Sequence, residues 1–567
     1  MNTQKQYRRQ LVNLLCGISA PKLMGAALEA ILTSKELEDI EHRLQIFQML
    51  TENTPQRQIA AKLKVGIATV TRGARAYRNG KFFELERNAL QHIRSNPDIN
   101  KSNMDSQHIP KIQLPGKSNY IKLSEDDCFF ELFRKIEKKY QHCFLFESLG
   151  EESGVSRNHI IGFDPAQIVY AEDKHTLCIT DTRTEKTEQY QCENSYYALR
   201  EIVPQDIISR RYAGGLVGYL GYDTINFFEP TLNLQTSESF EPFKFGVYLD
   251  GLVYDQMTGE IFYYYYNKNR IEEIKALLHQ EEEDFGETEC TCLGDSMSRE
   301  EHEQAVLKVK EYIRSGLIFQ CEVGFKTRYK IIGDTTHIYS KLREVNPSPH
   351  MFYLKFDQQK IIGASPELLF RLRDGEMETF PLAGTARRGA DAIEDMQLAR
   401  ELLNDPKEIA EHNMLVDLHR NDLGRVARYG TVKVRSLMDI KRFSHVQHIS
   451  SEIVGILNEK EDMFSALASN FPAGTLSGAP KIEAIKIINE LESDPRGPYG
   501  GAVGQFGFNG DCTFAIPIRS VFINGEDGYV QTCGGNVYDS NPADEYQEIE
   551  RKLSAMRSVL ASFEKEQ

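Results

Sequence analysis

Asp405-Pro406-Lys407-Glu408-Ile409-Ala410-Glu411-His412-Asn413-Met414-Leu415-Val416-Asp417-Leu418-His419-Arg420-Asn421-Asp422 reads as a helix whose start is fixed by local chemistry. The Asp405 carboxylate can accept from the unpaired amides of the first turn. Pro406 has no amide hydrogen to leave unpaired, and Glu408 complements the positive end of the helix dipole. Glu408 and Glu411 stand three apart and share a face. A second pair with the same spacing, Glu545 and Glu548, opens another helical stretch. Four carboxylates projected from two helix starts suit Mg²⁺, which takes oxygen ligands, keeps several waters and is usually held by one or two carboxylates plus an anionic substrate. A lone Glu-x-x-Glu is ordinarily a solvated helical face, so its surroundings must decide.

Working outward, the flanking sequence supplies several glycine-rich elements: Gly363 to Glu367, Pro381 to Gly389, Pro472 to Lys481, and Cys533-Gly534-Gly535. Each alone reads as a turn. Together they suggest a place where bare backbone N–H groups approach an anion. Residues 119–567 alternate aromatic and β-branched runs with capped helices, as in the capping box Ser298-Arg299-Glu300-Glu301 with Gly316 closing the helix. No phosphate loop, dinucleotide fingerprint or regular strand-helix-strand repeat occurs. The expectation is an α+β domain with largely antiparallel sheets, its earlier part at 119–290 and its catalytic part at 298–567.

Composition separates this bulk from what precedes it. Residues 1–100 carry 15 Lys plus Arg against 9 Asp plus Glu, a net of +6, which leaves 52 against 74, or −22, for the remainder. Residues 6–90 show helical periodicity and mark an all-α module at 1–94, and 95–118, polar with three prolines, reads as a linker. Within the basic module, Thr54 to Gly73 has a short helix, a turn at Gly66, and a second helix of small and hydroxylated residues, the pattern of a helix-turn-helix; an ordinary helical hairpin fits it too. A basic module expects a polyanion, whereas the acidic bulk argues against wrapping nucleic acid. No apolar run is long enough for a transmembrane helix, no secretory signal is seen, and the ten cysteines have neither zinc nor disulfide-framework spacing. A cytoplasmic protein without a membrane partner is expected.

From Glu408 through Asp422, and in the order of the glycine-rich elements, the chain resembles the chorismate-utilising enzymes over about 450 residues. The resemblance implies that Glu411 and Glu548 bind Mg²⁺ directly, with Glu408 and Glu545 acting through water or as proton carriers. It further implies that Arg519, Tyr499 and Lys552, with the backbone at Gly384, Thr385, Thr475 and Gly535, hold the two carboxylates of chorismate, and that Glu408, His448 and Thr475 act in catalysis. Members that add water need a base, typically Lys, where this chain has Gln320; members that aminate C4 are thought to use a Lys where it has Ala383. Direct addition of ammonia at C2, the anthranilate synthase reaction, remains; aminodeoxychorismate synthase is the alternative activity. No glutaminase nucleophile elbow is found, so a separate glutamine amidotransferase subunit is implied. Phe144 to Ser148 and Asn346 to Met351 resemble the family's L-tryptophan feedback site, which implies roles for Glu147, Ser148, Pro349, His350 and Met351. His350 stands where Tyr is usual, and Cys533 where close relatives often have Gly.

Residues 31–73 resemble the bacterial tryptophan repressor. This implies that Thr33, Arg43, Arg72 and Gly73 surround L-tryptophan, that Gln56, Arg57, Ile67, Ala68, Thr69 and Thr71 face operator DNA, and that the module forms a homodimer. Ala76 and Ala60 depart from that pattern. A module that only dimerises or senses tryptophan is the alternative.

Overall fold

The computed structural model describes residues 109–564, except 115–116, 124–128, 150–157, 205–208, 210–211, 280–285 and 443–445, together with Ala30, Thr33, Ile46, Ile59, Lys62 and Leu63. The chain divides into two units, Met1–Asp105 and Ser106–Gln567. Apart from those six residues, the proposed helix-turn-helix lies outside the described residues, as do Arg43, Gln56, Arg57, Ile67, Ala68, Thr69, Thr71, Arg72 and Gly73. Ala30, Ile46, Ile59, Lys62 and Leu63 are helical.

The second unit is built on two twelve-stranded sheets with antiparallel pairing. The first sheet runs Asn119–Lys122, Glu260–Tyr265, Asp250–Asp255, Asn158–Phe163, His142–Glu147, His350–Phe356, Gln359–Ser365, Ser520–Asn524, Asp527–Asn536, Gln320–Gly333 and Thr288–Asp295, with the short Gly478–Ala479 also on Gln320–Gly333. The second runs Leu382–Arg387, Val446–Ile456, Glu376–Thr379, Leu368–Arg373, Cys512–Ala515, Ala502–Gly507, Gly215–Leu220, Phe243–Tyr248, Gln167–Ala171, Thr176–Asp181 and Lys186–Gln191, with Lys433–Arg442 on Val446–Ile456. The antiparallel α+β expectation is met. Residues 119–290 contribute strands to both sheets: His142–Glu147 is paired with His350–Phe356, and Gly215–Leu220 with Ala502–Gly507. Ile109, inside the stretch read as a linker, is buried in the core, and the Ile112 amide donates to the Ile202 carbonyl at 2.9 Å.

Aromatic side chains join the sheets. Phe144 of the first meets Tyr248 of the second edge-on at 4.8 Å, and Phe245, Phe506 and Phe514 continue the same apolar layer. Offset and edge-to-face pairs of this kind add about 0.5–1.5 kcal/mol each beyond area burial. A second apolar layer seats helices Phe129–Lys139, Thr336–Val345 and Pro542–Ala561 on the first sheet, through Phe133, Tyr339 and Leu553. Helix Arg299–Arg314 has the expected capping box at Ser298 and Glu301, and Gly316 follows it at φ +77°. Among the described residues no helix is long and apolar enough to cross a membrane, and none of the eight described cysteines forms a disulfide.

Candidate active site

Two helix starts deliver the carboxylates. In Pro406–Gly424, Asp405 accepts from the Lys407 and Glu408 amides at 2.8 and 3.4 Å, with proline in the first turn. In Pro542–Ala561, Asn541 accepts from the Ala543 amide at 3.0 Å, again with proline in the first turn. The caps fix where each helix begins, hence which face Glu408 with Glu411 and Glu545 with Glu548 occupy. Burial holds the Glu408 and Glu411 carboxyls above their usual range, helped by Asp405 and Glu548 at Glu408 and by Glu408 and Glu548 at Glu411, while Lys407 pulls both back. Glu545 is raised by burial and by Glu548, against a hydrogen bond from Ser540. Glu548 goes the other way: although burial pushes it up, Lys552, 2.8 Å from its Oε1, brings it below the usual range.

The charge of Glu548 thus acts on each of the other three carboxylates. Among the described residues, however, no three His, Cys, Asp or Glu side chains are already gathered as metal ligands. Their donor chemistry suits Mg²⁺: all oxygen and partly to largely buried, with the charges of Lys407 and Lys552 nearby.

A strand supplies the opposite wall. Gln320 and Glu322 lie two apart in Gln320–Gly333 and share a face. The Gln320 amide donates to Glu322 at 3.1 Å and to Glu411 at 3.2 Å, while its carbonyl oxygen is buried with no hydrogen-bond partner. Glu322 is pushed up to about 7 by burial and by Glu411 and Glu548, with Lys552 opposing. Two glycines are explained here. A Cβ at Gly535 would sit 2.6 Å from Glu322 Oε1, and one at Gly384, at φ +66°, would sit 2.9 Å from Glu408 Oε2. Bare backbone at both positions lets carboxylates lie directly over the chain.

The remaining predicted residues close the site. His448 approaches the Gly384 carbonyl at 2.9 Å and Thr385 Oγ1 at 3.1 Å through Nδ1. Burial, with the charges of Arg519 and Lys552, drives its imidazole down to about 4, so it is neutral at physiological pH. Lys552 donates to the Cys533 carbonyl at 3.1 Å, and Tyr499 Oη donates to Cys533 Sγ at 3.2 Å. The Cys533 thiol thus fills space beside Tyr499, and burial pushes it up to about 12. Thr475 Oγ1 donates to Glu367 Oε1 at 2.9 Å. Glu367 is fully buried and raised to about 8 by desolvation and by Glu322, against the Thr475 hydrogen bond and the Arg519 charge.

Sequence reading missed Glu322 and Glu367 as functional groups. Glu322 was signalled by its period-two spacing from Gln320. Glu367 closes the Gly363 to Glu367 element, in which the glycine is the more conspicuous residue.

The segments expected to form the feedback site are neighbours. Glu147 pairs in register with Met351, and the Leu149 amide donates to the Ser348 carbonyl at 2.9 Å, beside buried Pro349. Glu147 is already engaged: Tyr339 Oη lies at 2.9 Å, Arg343 Nε at 3.0 Å and His159 Nδ1 at 3.6 Å. Ser148 Oγ is buried with no hydrogen-bond partner. His350 is held neutral, pushed down to about 3 by burial and the Arg371 charge.

Comparison with known proteins adds to this geometry. A family model described as chorismate binding enzyme matches residues 141–558, and one described as Trp repressor protein matches residues 6–86. Anthranilate synthase component 1 of Leptospira biflexa is 54% identical over 462 residues, covering 80% of this chain and 98% of the relative. The protein of the same name from Methanothermobacter thermautotrophicus is 43% identical over 435 residues, covering 77% and 92%. Among solved structures, anthranilate synthase component I from Streptococcus pneumoniae TIGR4 matches with TM-score 0.62 and 31% identity, covering 71% of this chain and 92% of that one. The menaquinone-specific isochorismate synthase of Escherichia coli shares the fold at TM-score 0.61 and 19% identity.

Proposed function

The chain belongs to the chorismate binding enzyme family and is an anthranilate synthase, and from that premise we propose how its site converts chorismate and ammonia to anthranilate and pyruvate. Gln320 carries the assignment. Its buried, unpartnered carbonyl oxygen can accept an N–H from ammonia, and it cannot activate water as a lysine would.

Glu411 and Glu548 would hold Mg²⁺ directly, and Glu408 and Glu545 through water. When bound, the ion neutralises the ring carboxylate and draws electrons from the attacked carbon. Arg519, Tyr499 and Lys552 orient the two substrate carboxylates. Ammonia, positioned by Gln320, bonds to C2 and the resulting ammonium nitrogen gives up one proton to solvent; the ring double bonds shift and the C4–O bond breaks. The departing hydroxyl takes a proton from Glu367 and leaves as water. Glu408 was the acid expected from the sequence; Glu367, raised to about 8, takes the role because it keeps its proton at neutral pH. His448, neutral and held through Nδ1, then removes the C2 proton, the C3–O bond breaks, and the released enolpyruvate becomes pyruvate as the ring turns aromatic. The test is a coupled assay with chorismate, Mg²⁺ and ammonium, read by anthranilate fluorescence. No product with the full set of reagents, or the same rate after chelation, overturns this reading.

Three further assignments go with it. A glutaminase subunit supplies ammonia, so glutamine alone supports no turnover. L-Tryptophan binds at Glu147, Ser148 and Met351, beside His350, and inhibits. The residues matching the Trp repressor protein bind L-tryptophan as corepressor and operator DNA as a dimer; the +6 charge of residues 1–100 supports this. Gel shifts at two salt concentrations, with and without tryptophan, separate a repressor from a module that only dimerises.

A further inference from the structure

Arg496 is a heavily engaged cation of the described site region, and all its hydrogen bonds go to Glu492 and to two backbone carbonyls rather than to a group assigned to substrate. Its Nε and Nη2 grip Glu492 at 2.8 and 2.6 Å, Nη1 donates to the Leu476 carbonyl at 2.5 Å, and Nη2 donates to the Glu322 carbonyl at 2.8 Å. The guanidinium faces the Tyr222 and Tyr499 rings, 4.6 and 5.7 Å from their centroids. Glu492 is anchored in turn by the Gly324 amide at 3.0 Å.

The two carbonyls belong to different walls of the site. Leu476 follows Thr475, the partner of Glu367, in the three-residue helical turn Gly474–Leu476. Glu322 lies on the strand that carries Gln320. We propose that Arg496 is a positioning residue that sets the distance between the proton donor Glu367 and the ammonia-orienting Gln320, by clamping the backbones of both walls with one planar group. A lysine offers a point charge and cannot make a bidentate carboxylate contact while bonding two carbonyls in one plane. The proposal rests on the anthranilate synthase reading.

The test is Arg496→Lys, which keeps the positive charge beside Glu492. If the clamp works, kcat with ammonium falls at least tenfold. The Thr475 hydrogen bond to Glu367 loosens, and the alkaline limb of the pH profile, where Glu367 loses its proton facing Thr475, Glu322 and Arg519, moves up by about one unit. In a Thr475→Val background the same substitution moves the limb no further. A substitution that lowers thermal stability and kcat but leaves the limb in place, or whose effects multiply with those of Thr475→Val, overturns the proposal. Should Arg496→Lys not fold, Glu492→Gln releases one side of the clamp and carries the same readout: a raised limb supports the proposal, and an unmoved one refutes it. Wild-type protein that makes no anthranilate refutes the underlying reading instead.

Discussion

Two buried acidic regions of this protein are built on opposite principles. Glu147 is surrounded by cations and donors: Arg343, His159 and Tyr339 all reach its carboxylate. Glu408, Glu411 and Glu545 each feel the charge of Glu548 and hold no ion pair of their own among those described, with Lys407 acting on all four at longer range and Lys552 paired with Glu548. The first arrangement satisfies itself and contributes to folding. The second keeps three of its carboxyls raised by burial and by like charge, which is the arrangement the proposed divalent cation and anionic substrate would complete. Buried charge is costly unless paired, so a cluster that tolerates the cost identifies where a ligand is to be supplied.

The largest effect that can break this contrast is at Glu411. Glu411→Gln should lower kcat/KM by about 10²- to 10³-fold, while the melting temperature holds or rises because a repulsion is relieved. A melting temperature that drops with activity would make Glu411 a carboxylate whose main contribution is to the fold. Next is His448→Met, which should slow anthranilate formation by about 10²-fold and let the aminated ring intermediate accumulate, visible by chromatography. Unchanged product kinetics removes His448 from the elimination.

The pH profile comes third. Glu367 must be protonated to donate, so the rate should fall as pH rises through about 8, and the limb should vanish in Glu367→Gln over a lower residual rate. Gln320→Leu, which removes one neutral hydrogen bond to ammonia, should raise KM for ammonium by about tenfold with a smaller change in KM for chorismate. Equal changes in both constants would mean that Gln320 shapes the pocket rather than orienting the nucleophile. The smallest effect sharpens the other side of the contrast: Glu147→Gln leaves Arg343 and His159 short of a partner and should cost about 1–2 kcal/mol, a few degrees in thermal unfolding, discounted because Arg343 is partly exposed.

What was legible in the sequence was what short-range chemistry determines. Asp405 with Pro406, and Ser298 with Glu301, announce helix starts because a cap needs only its own next three residues. The carboxylate pairs follow from the starts at Asp405 and Asn541. Glu367 and Thr475 were not legible as a pair, because they are 108 residues apart and meet only through the fold. The interleaving of the sheets was hidden for a related reason. Gly215–Leu220 is buried along its whole length, so no alternation of apolar and polar residues marks which face it presents or which strand it joins. Gly384 and Gly535 were read as places for anion-binding amides. The structure adds a simpler demand, that carboxylate oxygens of the protein itself occupy the space a Cβ would take.

The pairing of Gly215–Leu220 with Ala502–Gly507, and of His142–Glu147 with His350–Phe356, also governs the order of assembly. Strands synthesised early have hydrogen-bonding edges whose partners leave the ribosome hundreds of residues later, so a nascent chain stopped near residue 290 holds half-finished edges of both sheets. Such edges invite pairing with other chains, and synthesis interrupted between residues 290 and 500 should leave material that aggregates rather than a smaller working enzyme.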